Sequence, residues 1–132
     1  MNNKKLGTEF ERDVAKAFKE AGWWVHFITP DNRGAQPFDV IAVKNDEVII
    51  GDCKTSSTKR FNINRLEDNQ INAFDYWMRC GNNTPALFVR YLNDVFAVDY
   101  TVLKEQGSVD LYECLKVGEY HDGSIVPSKV TD

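Results

Sequence analysis

Apolar residues fall into two kinds of pattern along this chain. Phe10, Val14, Ala17, Phe18 and Ala21 recur at i, i+4, i+7, i+8 and i+11, one stripe of a helix over residues 8–21. Thr8 and Glu11 have capping-box spacing at its start, and Gly22 follows as a stop. Residues 23–28, 38–43 and 48–54 are short runs rich in aromatic and β-branched side chains, which predicts three strands. The polar stretch Lys44-Asn45-Asp46-Glu47 joins the last two as a hairpin. Pro30, Asp31, Asn32, Gly34 and Pro37 mark residues 29–37 as loop, and residues 55–64 are polar enough to read as loop.

Downstream, residues 65–80 predict a second helix with Leu66, Ala73, Phe74 and Trp77 on one face. Residues 86–91 and 95–100 predict two more strands, joined by a turn at Asn93-Asp94. Thr101 is the expected cap of a short helix ending at Gly107. Residues 111–117 fit strand or helix, and residues from about 120 to 132 read as a C-terminal tail. The order α-β-β-β-α-β-β predicts an α/β fold. It has a central mixed sheet of about five strands flanked by helices, and its hairpin-type turns exclude a simple Rossmann arrangement. At 132 residues the chain is one domain's worth. Trp23, Trp24 and Trp77 are expected in the core, with a place on an outward binding face as the alternative, and His26 and His121 as ordinary strand and loop residues.

Composition narrows the function. Hydrophobic residues at 42% exclude global disorder. No apolar run approaches the ~20 residues of a membrane helix, and residues 1–10 lack the apolar segment of a secretory signal, so a cytoplasmic location is expected. Cys53, Cys80 and Cys114 are odd in number and widely spaced, which argues against a disulfide framework or structural zinc. GxSxG, HExxH and a Gly-rich phosphate loop are absent, so the usual serine hydrolase, zinc protease and P-loop ATPase signals are missing. The net charge of −4 argues against a general nucleic-acid coat. Yet residues 1–65 hold 11 basic and 9 acidic side chains, against 5 and 11 in residues 66–132. That asymmetry permits a local basic face.

One stretch is chemically unusual. Asp39 opens an apolar strand, and Asp52 and Lys54 close its hairpin partner. Strand alternation puts Asp52 and Lys54 on one side and Cys53 on the other. Antiparallel pairing brings Asp39 and Asp52 to the same end of the sheet. Two adjacent carboxylates repel, and a divalent cation relieves the repulsion. Magnesium suits a site of one or two carboxylates with waters and phosphate oxygens. Lys54 would then orient or activate the attacking water or neutralise developing charge; the alternative is a plain ion pair at the sheet end. On the first helix Glu11 lies at the edge of the apolar stripe, whereas Glu9 lies among Arg12, Asp13, Lys16 and Glu20 on the polar face. Glu11 is therefore the candidate third carboxylate, with helix capping as its structural alternative. Gln70 shares the inward face of the second helix, where an amide needs a partner, either a water or phosphate or a backbone group.

Gly7-Thr8-Glu9-Phe10-Glu11-Arg12-Asp13, Pro37-Phe38-Asp39, Asp52-Cys53-Lys54 and Asp68-Asn69-Gln70 together resemble the PD-(D/E)xK nuclease superfamily. Within it they look most like the Holliday junction resolvases of the archaeal Hjc and Gram-positive RecU types. The likeness runs from about residue 4 to residue 100. It implies a restriction-endonuclease-like fold, with magnesium (or manganese in its place) held by Glu11, Asp39, Asp52 and the main-chain carbonyl of Cys53. Lys54 would serve the water and Gln70 would assist. It further implies hydrolysis of DNA phosphodiesters to a 5′ phosphate and 3′ hydroxyl, by a homodimer acting on four-way junctions in recombination, repair or phage DNA processing. A restriction- or repair-type duplex endonuclease of the same fold is the alternative, and a non-catalytic DNA-binding module is the alternative from another class. Asp52 stands where these resolvases usually carry Glu, residues 29–37 are too few for the RecU stalk, and the chain is acidic where they are commonly basic. With the three proposed ligands set aside, residues 1–65 carry 11 basic and 6 acidic side chains. Lys4, Lys5, Arg12, Arg33, Lys59, Arg60 and Arg65 are then available for phosphates. Arg33, Lys59 and Arg60 are favoured because they lie in the loops that flank the proposed site. Each phosphate contact steepens the salt dependence by roughly 0.9 in log–log slope.

Overall fold

A computed structural model describes the backbone of residues 3–28 and 37–128, and the side chains of residues 9–28 and 37–128. The expected loop 29–36, Arg33, and the side chains of Lys4, Lys5, Gly7 and Thr8 lie outside the described residues.

The first helix, α1 (Asn3–Glu20), begins five residues ahead of Thr8, so Thr8 is a helix-interior position and not the cap. It is followed by β1 (Trp24–Phe27), β2 (Val40–Lys44) and β3 (Glu47–Ser56), paired antiparallel in sequence order. The β2–β3 turn places Asn45 and Asp46 at φ 51° and 65°. Two consecutive left-handed residues give the twist that a tight hairpin needs, and Asn and Asp tolerate them. Instead of a loop, residues 55–64 contain the end of β3, a short strand β4 (Arg60–Asn62) and a 3-10 turn (Ile63–Arg65). Phe61 explains this: it is fully buried, and one such anchor is enough to pin a polar segment.

The second helix, α2 (Asp68–Arg79), carries the chain over to β5 (Ala86–Tyr91), which pairs parallel with β3. Then β6 (Asp94–Asp99) returns antiparallel. A third helix, α3 (Tyr100–Gln106), is capped by Asp99, whose carboxylate accepts from Val102 N at 3.1 Å; Thr101 is not the cap. It ends at Gly107, whose φ of 79° is costly for any residue with a Cβ. The last third holds β7 (Ser108–Asp110), a 3-10 turn (Leu111–Glu113), β8 (Leu115–His121) and β9 (Ser124–Pro127). The expected tail is thus mostly a hairpin.

The sheet has seven strands rather than about five, in the order β1-β2-β3-β5-β6-β8-β9, and β4 with β7 forms a second, two-stranded sheet. Helices cover both faces, as the alternation of elements predicted. On one face α1 lays Phe10 and Val14 over Cys53, Phe88 and Val95. On the other, Leu66, Phe74, Tyr100 and Leu103 pack on Ile50, Leu87, Val89, Phe96 and Val98. On the α1 face Gly51 permits the close packing of Phe88: a Cβ there would meet the Phe88 ring at 2.8 Å. No helix among the described residues is long and apolar enough to cross a membrane.

Candidate active site

The β2–β3 ladder ends at Val40 opposite Gly51, and one residue further Asp39 faces Asp52. The Asp39 amide donates to Gly51 O at 2.9 Å, and its carboxylate Oδ2 accepts from the Cys53 amide at 2.7 Å. Asp39 therefore closes the ladder with its side chain. A strand residue's N–H and C=O point to the same edge, so the Cys53 carbonyl faces the edge that Asp39 occupies. The Cys53 side chain points the other way, under α1, as alternation predicted.

Asp39 and Asp52 are both buried, at 4% and 1% exposure. Around Asp52, Gln70 Nε2 donates to Oδ1 at 2.9 Å, and Lys54 Nζ stands 3.3 Å from Oδ2. Gln70 is also tied at its other end: its Oε1 accepts from the Glu67 amide at 3.0 Å, at the start of α2. The same amide side chain satisfies a backbone group, one of the two roles weighed for it, and also holds the Asp52 carboxylate, a partner not foreseen in the sequence. Glu11 is half-buried at the edge of the α1 stripe, while Glu9 is exposed.

The electrostatics are unfavourable as the side chains stand. Burial, then the Asp39 charge, pushes Glu11 up to about 7, against a partial lowering by Lys54. Burial, then Asp39, also raises Asp52 well above the carboxylate range. Burial and the three acids push the Cys53 thiol far up, which removes it as a nucleophile. Glu11 Oε2 and Asp52 Oδ2 are buried without a hydrogen-bond partner. Such orphans are rare in folded proteins and call for an explanation. Among the described residues, no three His, Cys, Asp or Glu side chains stand close enough together to hold an ion unaided. The donor set still suits a hard divalent cation: oxygen donors only, acids in excess over one lysine, and a buried Glu11 oxygen with no hydrogen-bond partner.

The archaeal Holliday junction resolvase (Hjc) description matches residues 2–121. The chain belongs to the Hjc family. A crossover junction endodeoxyribonuclease Hjc from Methanocaldococcus jannaschii is 24% identical, covering 87% of this chain and 90% of the relative. The 1.6 Å structure of Archaeoglobus fulgidus Hjc, a Holliday junction resolvase from an archaeal hyperthermophile, superposes with a TM-score of 0.63 at 13% identity. It covers 82% of this chain and 92% of that one, and supports the restriction-endonuclease-like fold. Membership in the Hjc family makes the chain an endonuclease by class.

Of the residues singled out for DNA, Arg12, Lys59 and Arg60 are exposed. Arg60 Nη1 reaches Ser108 Oγ at 3.4 Å, and Arg65, also exposed, donates to Thr55 O at 2.8 Å beside Phe61. Arg33 and Lys5 are outside the described residues. Sequence reasoning placed Asp13 on the polar face; instead its Oδ2 accepts from Tyr120 OH at 2.6 Å. Tyr120 in turn lies under Arg90, 3.8 Å from the ring centre. No local signal announces a partner 107 residues away.

Proposed function

We propose that this chain is a magnesium-dependent endonuclease that hydrolyses phosphodiester bonds at four-way DNA junctions, acting as a homodimer. The observation that carries the reading is the buried acid cluster: Glu11 Oε2 has no hydrogen-bond partner, and Asp52 Oδ2, beside Asp39, is met by the Lys54 ammonium at 3.3 Å. Asp39, Asp52, Glu11 and the Cys53 carbonyl would hold the ion, with water and DNA phosphate oxygens completing its shell. Magnesium, with manganese as a substitute, would supply Lewis-acid polarisation of the phosphate and a more acidic water.

The chain's own groups do the rest. Gln70 fixes the Asp52 carboxylate by clamping Oδ1. Lys54, with its side chain only 20% exposed, holds an ammonium 3.3 Å from Asp52 Oδ2, where it can orient the attacking water and meet charge as it builds on phosphorus oxygens. The buried walls keep bulk water from screening that charge. Arg12, Lys59 and Arg60, with Arg33 and Lys5, would track the phosphate backbone. A four-way junction needs two matched cuts, which a two-fold pair of equal sites supplies geometrically.

The test is incubation with Mg²⁺, with Mn²⁺ and with EDTA on a four-way junction and on a linear duplex of the same sequence. Metal-dependent cutting of the junction in preference to the duplex is expected. Equal cutting of both would replace the junction reading with a duplex endonuclease. No cutting of either would leave a DNA-binding module.

A further inference from the structure

Aromatic residues on β1 sit in an unusual place. Of the three tryptophans, Trp23 packs edge-on against Phe18 at 5.4 Å, and Trp77 is half-buried with its indole N–H donating to Asn83 O at 2.8 Å. Trp24 departs from the core expectation and is 62% exposed. Its indole lies 6.4 Å from the exposed His26 ring, with the planes only 16° apart. Trp24 and His26 make an exposed ring pair on an edge strand, set apart from the other exposed apolar side chains by the sheet face it occupies.

Register identifies that face. Trp24 opposes Val43 and His26 opposes Ile41 on β2, and these oppose Val48 and Ile50 on β3. Directly opposed residues share a sheet face, and the face repeats every second residue. Two residues beyond His26, Ile28 N donates to Asp39 O at 2.8 Å, and Asp39 opposes Asp52. Trp24 and His26 therefore lie on the sheet face that carries the acid pair. Successive rows on that face are about 7 Å apart, so the His26 row is the next one out from the acids. The two rings are nearly parallel, 16° apart with centroids 6.4 Å from each other, so they stand as neighbouring exposed aromatic surfaces on that face.

We propose that Trp24 and His26 form a base-stacking platform that takes an exposed base face at the branch point of the DNA. The proposal rests on the reading of the chain as a junction nuclease. Inside a linear duplex every base is stacked on both faces and offers no free π-surface. At a four-way branch the helix ends meet, and their terminal base faces can be transferred to an aromatic side chain. The platform would thus favour branched over linear DNA and seat the branch one row from the metal-binding acids. A stacked base is worth enough that truncating its aromatic partner weakens binding between about 5-fold and about 140-fold.

The test is titration of wild type, Trp24→Ala and Trp24→Phe with a four-way junction and a matched linear duplex in EDTA. The junction carries 2-aminopurine at the branch, and sedimentation velocity gives the oligomeric state of each protein. Trp24→Ala should weaken junction binding at least 5-fold, leave duplex binding within 2-fold, and abolish the quenching of 2-aminopurine that wild type causes. Trp24→Phe should recover most of each effect. Unchanged junction binding, or equal weakening on junction and duplex, would overturn the proposal. Loss of self-association in Trp24→Ala would also overturn it, by assigning the pair to a contact between copies. Wild-type cleavage of the junction in Mg²⁺ is read separately. If wild type cuts junctions and Trp24→Ala keeps full preference for them, the platform fails while the nuclease reading stands.

Discussion

Two groups of carboxylates and lysine in this molecule behave in opposite ways. On the surface of β6 and β8, Lys116 pairs with Asp94 at 3.2 Å and with Glu119, which also bonds His121 at 3.0 Å. There the hydrogen bond from Lys116 holds Glu119 below its ordinary value, and the one to Glu119 raises Lys116. Each charge is answered and water covers the rest. At the end of β2 and β3, Glu11, Asp39 and Asp52 share one lysine, Glu11 Oε2 has no hydrogen-bond partner, and Glu11 and Asp52 are pushed up rather than down. The residue types are nearly the same. Burial and the ratio of acids to cations separate a set of solvated pairs, worth little, from a buried acid cluster whose ionised form a divalent ion would balance.

Substitutions can break that contrast, beginning with Asp39→Asn. The asparagine Oδ1 keeps the bond from the Cys53 amide, so folding and junction binding should persist. Cleavage should fall by about 10³-fold or more, read as initial rate in Mg²⁺. Retained cleavage would remove Asp39 from the metal site. Next in size, Gln70→Ala frees Asp52 Oδ1 and the Glu67 amide together. We expect a loss of about 10- to 100-fold in cleavage. About 1 kcal/mol of stability should go with it by urea denaturation. A stability loss without a rate loss would confine Gln70 to capping.

A smaller effect sharpens the contrast through pH. Glu11 is raised from its unfolded value of 4.5 to about 7 in the metal-free fold. A carboxyl with a raised folded value stabilises the fold while protonated, and that contribution disappears as pH climbs from about 4.5 through about 7. The metal-free Tm contribution of this site should therefore decline across that window, and the gain in Tm on adding Mg²⁺ should grow across it. Calorimetry at pH 5 and pH 8, with EDTA or Mg²⁺, reads both. A Mg²⁺ gain that is largest at pH 5 would contradict the account. Smallest of all, Glu119→Gln should leave cleavage and Tm unchanged within error, because its charge is exposed and already balanced.

The acid pair was legible because a hairpin is local: once Asn45-Asp46 is the turn, Asp39 must meet Asp52. Glu11 and Gln70 were singled out from helix periodicity, Glu11 at the edge of the apolar stripe and Gln70 on the inward face where an apolar residue is the default. What escaped the sequence is set by distant contacts. Phe61 in a polar run, Tyr120 reaching Asp13, and β8 with β9 closing the far edge all take their meaning from partners far along the chain. Thr8 was misread because a capping box is only four residues long and a helix can run through it. Trp24 was misread because an aromatic strand residue is ordinarily inside, and only the register reveals which face it occupies.

The parallel pairing of β3 with β5 has a consequence for how the protein comes to life. The aspartates lie on one hairpin, which closes quickly because its contacts are near in sequence. Gln70 arrives only with the crossover through α2, and Glu11 only once α1 has docked, both non-local events. A chain still emerging from the ribosome thus carries its paired aspartates before Gln70 has reached Asp52. The acid cluster is complete only when the whole architecture has closed.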